Sequence, residues 1–231
     1  VMTVAPTGIV ALKGGPLMAS SDTFRIVVHG RGGHASSPQH ALDPIPIACE
    51  IVVALQTMIT RRIDAFDPGV VTVASVHAGT TSNVIPPTAE VIGTIRAVSE
   101  RTRKKLHDGI VRVAENIAAA HEASADVDVN LGYPVTINND DVANRVLDVS
   151  RSLLGKDRTI ATKHPVMGAE DFSYVLQNVP GAMAFLGATP PGVDPFTAAP
   201  NHSNLVAFDE ATMSTGMALY SAVALDHLAA G

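Results

Sequence analysis

The sequence is short of several things, and each shortage excludes a class of function. One cysteine, Cys49, stands among 231 residues, so no intrachain disulfide can form. A reducing compartment suits such a chain, and we expect a cytoplasmic location. Cys49 lies in an apolar helical stretch and reads as a buried, inert thiol. Lys and Arg number 16 against 22 Asp and Glu, a formal charge of -6. Nucleic-acid binding needs clustered basic residues, and the one dense run, Arg101, Arg103, Lys104 and Lys105, reads as a solvated helix face. Aromatic residues make up 4% and Trp is absent, so a sheet that stacks bases is not expected either. No apolar run reaches the roughly 20 residues of a bilayer span, and the first residues do not read as a signal peptide. Neither a nucleic acid nor a membrane is expected as a partner.

What the chain does have is apolar periodicity. Hydrophobic residues make up 46%, enough for a core built mainly from Val, Ile, Leu, Ala and Met. Phe24 to Gly30 is β-branched and bounded by polar residues and glycine, which predicts a strand. After Gly30-Arg31-Gly32-Gly33-His34, Asp43 caps a helix with Pro44 at its first position. Ile45, Ala48, Val52, Leu55 and Ile59 then recur at helical spacing to about Arg62. Val70–His77 and Thr88–Val98 predict two strands. Ser99 caps a second helix carrying Leu106, Ile110, Val113 and Ile117. Val127, Val129 and Leu131 alternate with Asp126, Asp128 and Asn130, a half-exposed strand. From about Asp22 to Gly132 the order is strand–helix–strand–strand–helix–strand. It predicts a ferredoxin-like unit, a four-stranded antiparallel sheet with both helices on one face.

After Tyr133-Pro134 the pattern changes. Val142, Val146, Leu147 and Leu154 predict a helix, and a short one follows from Glu170 to about Gln177. Ala182–Leu186 predicts a strand, and 187–200 a Gly/Pro-rich loop. A final helix, capped by Asp209, carries Met213, Met217, Tyr220, Ala224 and Leu228. This is α/β material with too few strands to close a core alone. Residues 1–19 and 134–231 are therefore expected to form one domain, into which 20–133 is inserted. Val1-Met2-Thr3-Val4-Ala5-Pro6 reads like the interior of a longer chain, and we expect residues ahead of it.

No HExxH, CxxC, GxSxG or P-loop is present, and the nine histidines are scattered. Three places could carry chemistry. Two glycines before His34 let the backbone approach a neighbour closely and aim the imidazole outward, where it can donate to an oxyanion; the same residues would also make a plain hairpin turn. Asn83, in Ser82-Asn83-Val84-Ile85-Pro86, offers an amide donor to a carbonyl, or simply forms a turn. His202, in Asn201-His202-Ser203 ahead of a capped helix, is placed to ligate a metal or to serve a local structural role. Glu170 and Asp171 add carboxylates at a helix start, where they could also be capping charge.

Taken together, these segments resemble the amidohydrolase/aminoacylase branch of the M20 metallopeptidases, which includes hippurate hydrolases and plant auxin-conjugate hydrolases. The resemblance runs in order through Gly15-Pro16-Leu17-Met18-Ala19-Ser20, Gly30-Arg31-Gly32-Gly33-His34-Ala35, Asp43-Pro44-Ile45, Asn83-Val84-Ile85-Pro86 and Gly93-Thr94-Ile95-Arg96. It continues through Gly132-Tyr133-Pro134, Gly168-Ala169-Glu170-Asp171-Phe172-Ser173, Val179-Pro180-Gly181-Ala182 and His202-Ser203. It implies a zinc-peptidase-like α/β catalytic domain interrupted by a ferredoxin-like lid used for dimerisation, hence a homodimer. It implies hydrolysis of the amide bond of an N-acyl amino acid or small peptide, with two divalent ions, zinc or manganese, or else cobalt or nickel. By resemblance His202 is a metal ligand, and His34 stabilises the tetrahedral oxyanion with Asn83. Asn83 and Arg96 hold the substrate carbonyl or carboxylate, and Glu170 belongs to a family motif without an assigned role. The family's Cys/His motif, its paired acidic residues and a further His ligand have no match in the chain, and that His is expected just before Val1. The alternative is a non-catalytic lid/dimerisation fragment acting as an interaction module.

Overall fold

The structure, a computed structural model, describes residues 1–229. The chain divides into two compact units, one of Val1–Leu17, Thr136–Val166 and the segment from Phe172, the other of Met18–Val135 with Met167–Asp171. Three strands open the chain: β1 (Met2–Pro6), β2 (Val10–Leu12) and β3 (Gly15–Met18). Then come β4 (Ser21–His29), the two-residue β5 (Gly33–His34), helix α1 (Pro44–Arg62), β6 (Gly69–Ala78), the two-residue β7 (Val84–Ile85) and β8 (Thr88–Ala97). Helix α2 (Glu100–Ala120) and β9 (Ser124–Tyr133) complete this run.

The long strands form one sheet in the order β6-β8-β4-β9, every neighbour antiparallel. This is the ferredoxin-like arrangement expected from periodicity. The alternation of β8 explains the face that the helices cover: Ala89, Val91, Ile95 and Ala97 are buried and join Phe24, Ile26 and Val28 of β4. Onto this face α1 lays Ile47, Ile51, Leu55 and Met58, and α2 lays Leu106, Ile110, Ala114 and Ala118. Each large side chain buried there contributes roughly 1.5–3 kcal/mol. Gly93 is required by packing, since a Cβ would lie 2.4 Å from the Phe24 ring. Both helix starts follow from their caps: Asp43 accepts from the Ile45 N–H at 3.0 Å, and Ser99 from the Thr102 N–H at 3.1 Å.

The remaining elements are β10 (Thr136–Asn138), α3 (Asp140–Leu154), β11 (Thr159–Ala161), α4 (Phe172–Leu176), β12 (Phe185–Thr189) and α5 (Thr212–Ala229). A mixed sheet runs β1-β12-β2-β11, with β12 parallel to β1, antiparallel to β2, and β11 parallel to β2; β3 pairs with β10 apart from it. Val10, Leu12, Ala143, Val146 and Leu147 form the core here, with Leu219 and Val223 of α5 packed against it.

Several expectations need correction. Cys49 is exposed, because Ala48 and Ile51 take the inward positions of α1. Arg103 does not belong to a solvated basic face; it turns inward and is 8% exposed. Leu131 is 71% exposed, its strand losing register beside the irregularity between Ser21 and Thr23. Helix α4 is shorter than expected and leaves Glu170 outside it. The strand expected at Ala182–Leu186 lies at Phe185–Thr189, held by a distant partner: the Thr189 hydroxyl sits within hydrogen-bond distance of the Thr3 and Ala5 carbonyls. In α5 the residues Met213, Met217, Tyr220 and Leu228 are exposed, and Leu219 and Val223 face the core instead. The helix is apolar all round, so its pattern does not select a face. By length and composition α1 is long and apolar enough to cross a membrane, contrary to the sequence reading, yet its inner stripe is spent in the core just described.

Candidate functional site in the glycine-rich ribbon

Strand β4 ends at His29, and the chain then makes a sharp excursion before α1. Arg31 and Leu42 exchange backbone hydrogen bonds of 2.8 Å, closing the excursion at its base. Within it β5 pairs with β7, Gly33 opposite Ile85 and His34 opposite Val84. Both glycines before His34 are sterically required. A Cβ at Gly32 would lie 2.9 Å from the Ile85 carbonyl oxygen, and one at Gly33 2.9 Å from the Ala41 side chain. The close approach expected from the sequence is thus to β7 and to the segment before α1.

The result is an exposed imidazole on a braced backbone. His34 Nδ1 accepts the Ser36 backbone N–H at 3.1 Å and lies 2.8 Å from the Ser36 hydroxyl. A nitrogen that accepts a backbone N–H carries no proton of its own. The neutral ring therefore keeps its proton on Nε2, which points away as a donor. That is the tautomer needed to donate to a carbonyl oxygen gaining charge.

Asn83 stands next to this ribbon: its carbonyl accepts the Ala35 N–H at 3.1 Å. Its Oδ1 accepts the Thr81 hydroxyl at 3.1 Å, which leaves the Nδ2 group to donate outward. The structure brings His34 and Asn83 together and keeps Arg96 apart from both. Arg96 lies on the helix-free face of β8, half-buried, opposite Val70, and its guanidinium donates to the Ile95 carbonyl at 3.1 Å. At about 3.4 Å per residue it is about 27 Å along β8 from Thr88, where the ribbon's connection enters the strand. Glu170 is half-buried in the Met167–Asp171 segment.

His202 lies in the other unit, exposed in a turn, with φ of 72°. A non-glycine residue in the left-handed region is uncommon and costs of order 1–3 kcal/mol. The turn is tied to the start of β1, since Asn201 Nδ2 donates to the Val1 carbonyl at 2.9 Å and the Thr3 hydroxyl to the Ala199 carbonyl at 2.8 Å. Among the described residues no three His, Cys, Asp or Glu side chains gather as a metal site. The donor set present therefore does not fit a two-ion centre by itself; His202 offers one imidazole to such a centre.

Sequence reasoning missed a buried charged cluster. Asp22 is fully buried and accepts from Arg103 at 2.6 and 2.8 Å, from the Gly132 N–H at 2.9 Å, and contacts His107 Nε2 at 2.8 Å. Burial alone raises the Asp22 carboxyl, but the hydrogen bonds from Arg103, His107 and Gly132 outweigh it and hold the group well below the usual carboxylate range. The same contacts push Arg103 up, the Asp22 hydrogen bond foremost. The available signal was a lone Asp at the start of an apolar strand.

Residues 19–122 match the peptidase dimerisation domain of the M20 group. The chain is 38% identical over 224 residues to thermostable carboxypeptidase 2 of Saccharolobus solfataricus, covering 95% of this chain and 55% of that protein. It is 37% identical over 175 residues to the hippurate hydrolase of Campylobacter jejuni, covering 76% and 46%. Among solved structures, it superposes with a TM-score of 0.76 and 28% identity on a dinuclear metal-binding M20 peptidase from Bacillus subtilis, covering 96% of this chain and 54% of that one. The chain thus spans about half the length of the curated relatives it matches.

Proposed function

The chain belongs to the M20 peptidase family, and on that premise we propose that it serves metal-dependent hydrolysis of the amide bond of an N-acyl amino acid or a related small amide. The observation that carries this reading is the His34 ribbon. Its glycines brace the backbone, and the Ser36 N–H leaves Nε2–H free as the outward donor. In amide hydrolysis the carbonyl oxygen becomes an oxyanion as the carbon turns tetrahedral. A pre-aimed N–H that meets that oxygen strengthens its hydrogen bond as charge grows, and so favours the transition state over the bound substrate. Asn83 Nδ2, beside the ribbon, is a second donor for the same carbonyl or for the substrate carboxylate.

Hydrolysis in this family draws on two divalent ions, which polarise the amide carbonyl and activate water when bound. We assign His202 to that centre as one ligand. Its support is the strained backbone at an exposed turn, where glycine would be unstrained. Arg96 is assigned to substrate binding by resemblance to the family, at the end of β8 remote from the ribbon. A homodimer through the unit containing α1 and α2 completes the reading.

The test is hydrolysis of N-benzoylglycine and N-acetylated amino acids by the intact gene product, before and after treatment with a chelator and re-addition of zinc, manganese, cobalt or nickel. Turnover that chelation abolishes and a metal restores is the expected result. Metal-loaded protein that cleaves none of these amides removes the proposal.

A further inference from the structure

The main chain at Asn83 is tied to the ribbon. Its carbonyl accepts the Ala35 N–H at 3.1 Å, and Val84 and Ile85 after it pair with His34 and Gly33. A fixed main chain does not decide which end of the side-chain amide faces outward, because the terminal torsion of an asparagine is broad and roughly two-fold. The choice matters for a donor. A substrate carbonyl and a substrate carboxylate both present oxygen lone pairs. Nδ2 donates to either, whereas a reversed amide sets Oδ1 against them, acceptor against acceptor.

Thr81 distinguishes the two ends. Its hydroxyl donates to Asn83 Oδ1 at 3.1 Å, and a half-turn of the amide breaks that bond. Threonine is branched at Cβ and therefore stiff, so it offers the hydroxyl from a restricted set of positions. It follows Gly79, whose φ of 68° turns the chain back after β6. A hydroxyl that donates to Oδ1 also polarises the amide, which makes the Nδ2 hydrogens stronger donors. Orientation and polarisation thus act in the same direction.

We propose that Thr81 is a positioning residue for amide hydrolysis: its hydroxyl holds Asn83 with Nδ2 outward and strengthens it as a donor to the substrate oxygen. The proposal rests on the hydrolase reading above. The effect of Thr81 passes through Asn83 and disappears when the Asn83 amide is removed.

The experiment measures amide hydrolysis by the intact gene product in Thr81→Val, which keeps the branched shape and loses the hydroxyl, and in Thr81→Ser, which keeps the hydroxyl. Thr81→Val is made again in the Asn83→Ala background. Thr81 is exposed, so these changes leave the fold in place. Thr81→Val is expected to lower kcat/KM about threefold to tenfold, the range of a single hydrogen bond, and Thr81→Ser to stay within about twofold of the wild type. With Asn83→Ala present, Thr81→Val causes no further loss. In parallel, NMR relaxation follows the Asn83 side-chain NH2, identified by its absence from Asn83→Ala. Its order parameter is expected to drop in Thr81→Val and to hold in Thr81→Ser. A wild-type rate in Thr81→Val, an equal loss in Thr81→Ser, or a loss that persists in the Asn83→Ala background overturns the proposal. If the wild type cleaves no amide, the hydrolase reading fails and the relaxation decides alone: a drop confined to Thr81→Val upholds Thr81 as the group that orients Asn83, and an unchanged order parameter overturns it.

Discussion

At the scale of single residues, His34 and His202 are held in opposite ways. His34 sits on a backbone that two close contacts brace, and its ring is oriented by the Ser36 N–H. On the proposed role, replacing it with Ala removes one oxyanion donor, a loss that typically costs on the order of 10²–10³ in rate. His34→Ala is expected to lower kcat by that factor in steady-state assays while metal content, read by elemental analysis, is unchanged. Ser36→Ala keeps the orienting N–H and should leave the rate close to wild type. A normal kcat in His34→Ala would take the ring out of the mechanism. His202, in contrast, occupies a backbone conformation that suits glycine. His202→Gly relieves that strain, so the thermal midpoint should hold or rise while the purified protein carries less metal. Full metal retention in His202→Gly would show that the imidazole is not a ligand.

At the scale of elements, the Asp22–Arg103 pair fastens the two ends of the ferredoxin-like unit. Asp22 lies near the start of β4 and accepts from Gly132 near the end of β9, while Arg103 of α2 grips Asp22 and Glu100 accepts the Val135 N–H at 3.0 Å. The Arg103 and Asp22 side chains are 10% and 0% exposed. Breaking a buried pair by removing one partner costs about 3–5 kcal/mol, and Asp22→Asn should destabilise this unit by that amount in urea unfolding near neutral pH. The folded carboxyl lies below its ordinary value of 3.8, so its contribution is complete above that value and disappears as pH falls below it. Wild type should lose stability in that acid range with a steeper slope than Asp22→Asn; equal slopes would separate the pair from acid stability. This cluster also marks what the sequence could not reveal. Elements with local signals were legible: Asp43-Pro44 and Ser99 set the starts of α1 and α2, and period-two runs set β6 and β8. Arg103 was misread because a run of basic residues says nothing of a carboxylate 81 positions away that only folding brings near. The position of β12 likewise depends on β1, and the inward face of α5 on core partners that an all-round apolar helix does not encode. Of the site, the Gly32-Gly33-His34 turn was legible as a close approach, whereas the tautomer of His34 and the remoteness of Arg96 required coordinates.

At the scale of the whole molecule, the two helices of the ferredoxin-like unit present unlike outer surfaces. The outer face of α2 carries Arg101, Lys104, Lys105 and Asp108, with Lys104 paired to Asp108 at 2.7 Å, and is well solvated. Along α1 the outer positions Ile45, Cys49 and Val53 repeat every fourth residue, with Ile45 38% and Val53 66% exposed. A stripe of this kind is a candidate for burial against another protein, and a second copy of the chain would meet it as a self-complementary patch about a two-fold axis. If the dimerisation domain pairs through α1, a carboxylate within the stripe must be desolvated without a partner, once from each copy. Val53→Glu should therefore shift the protein from dimer to monomer in light scattering at micromolar concentration, with its circular dichroism unchanged because Val53 lies outside the core. Lys104→Glu on α2 is the matching control and should leave the dimer intact. A dimer that survives Val53→Glu would move the contact away from α1, leaving the exposed edges of the sheet, β6 and β9, as the surfaces on which two copies can pair.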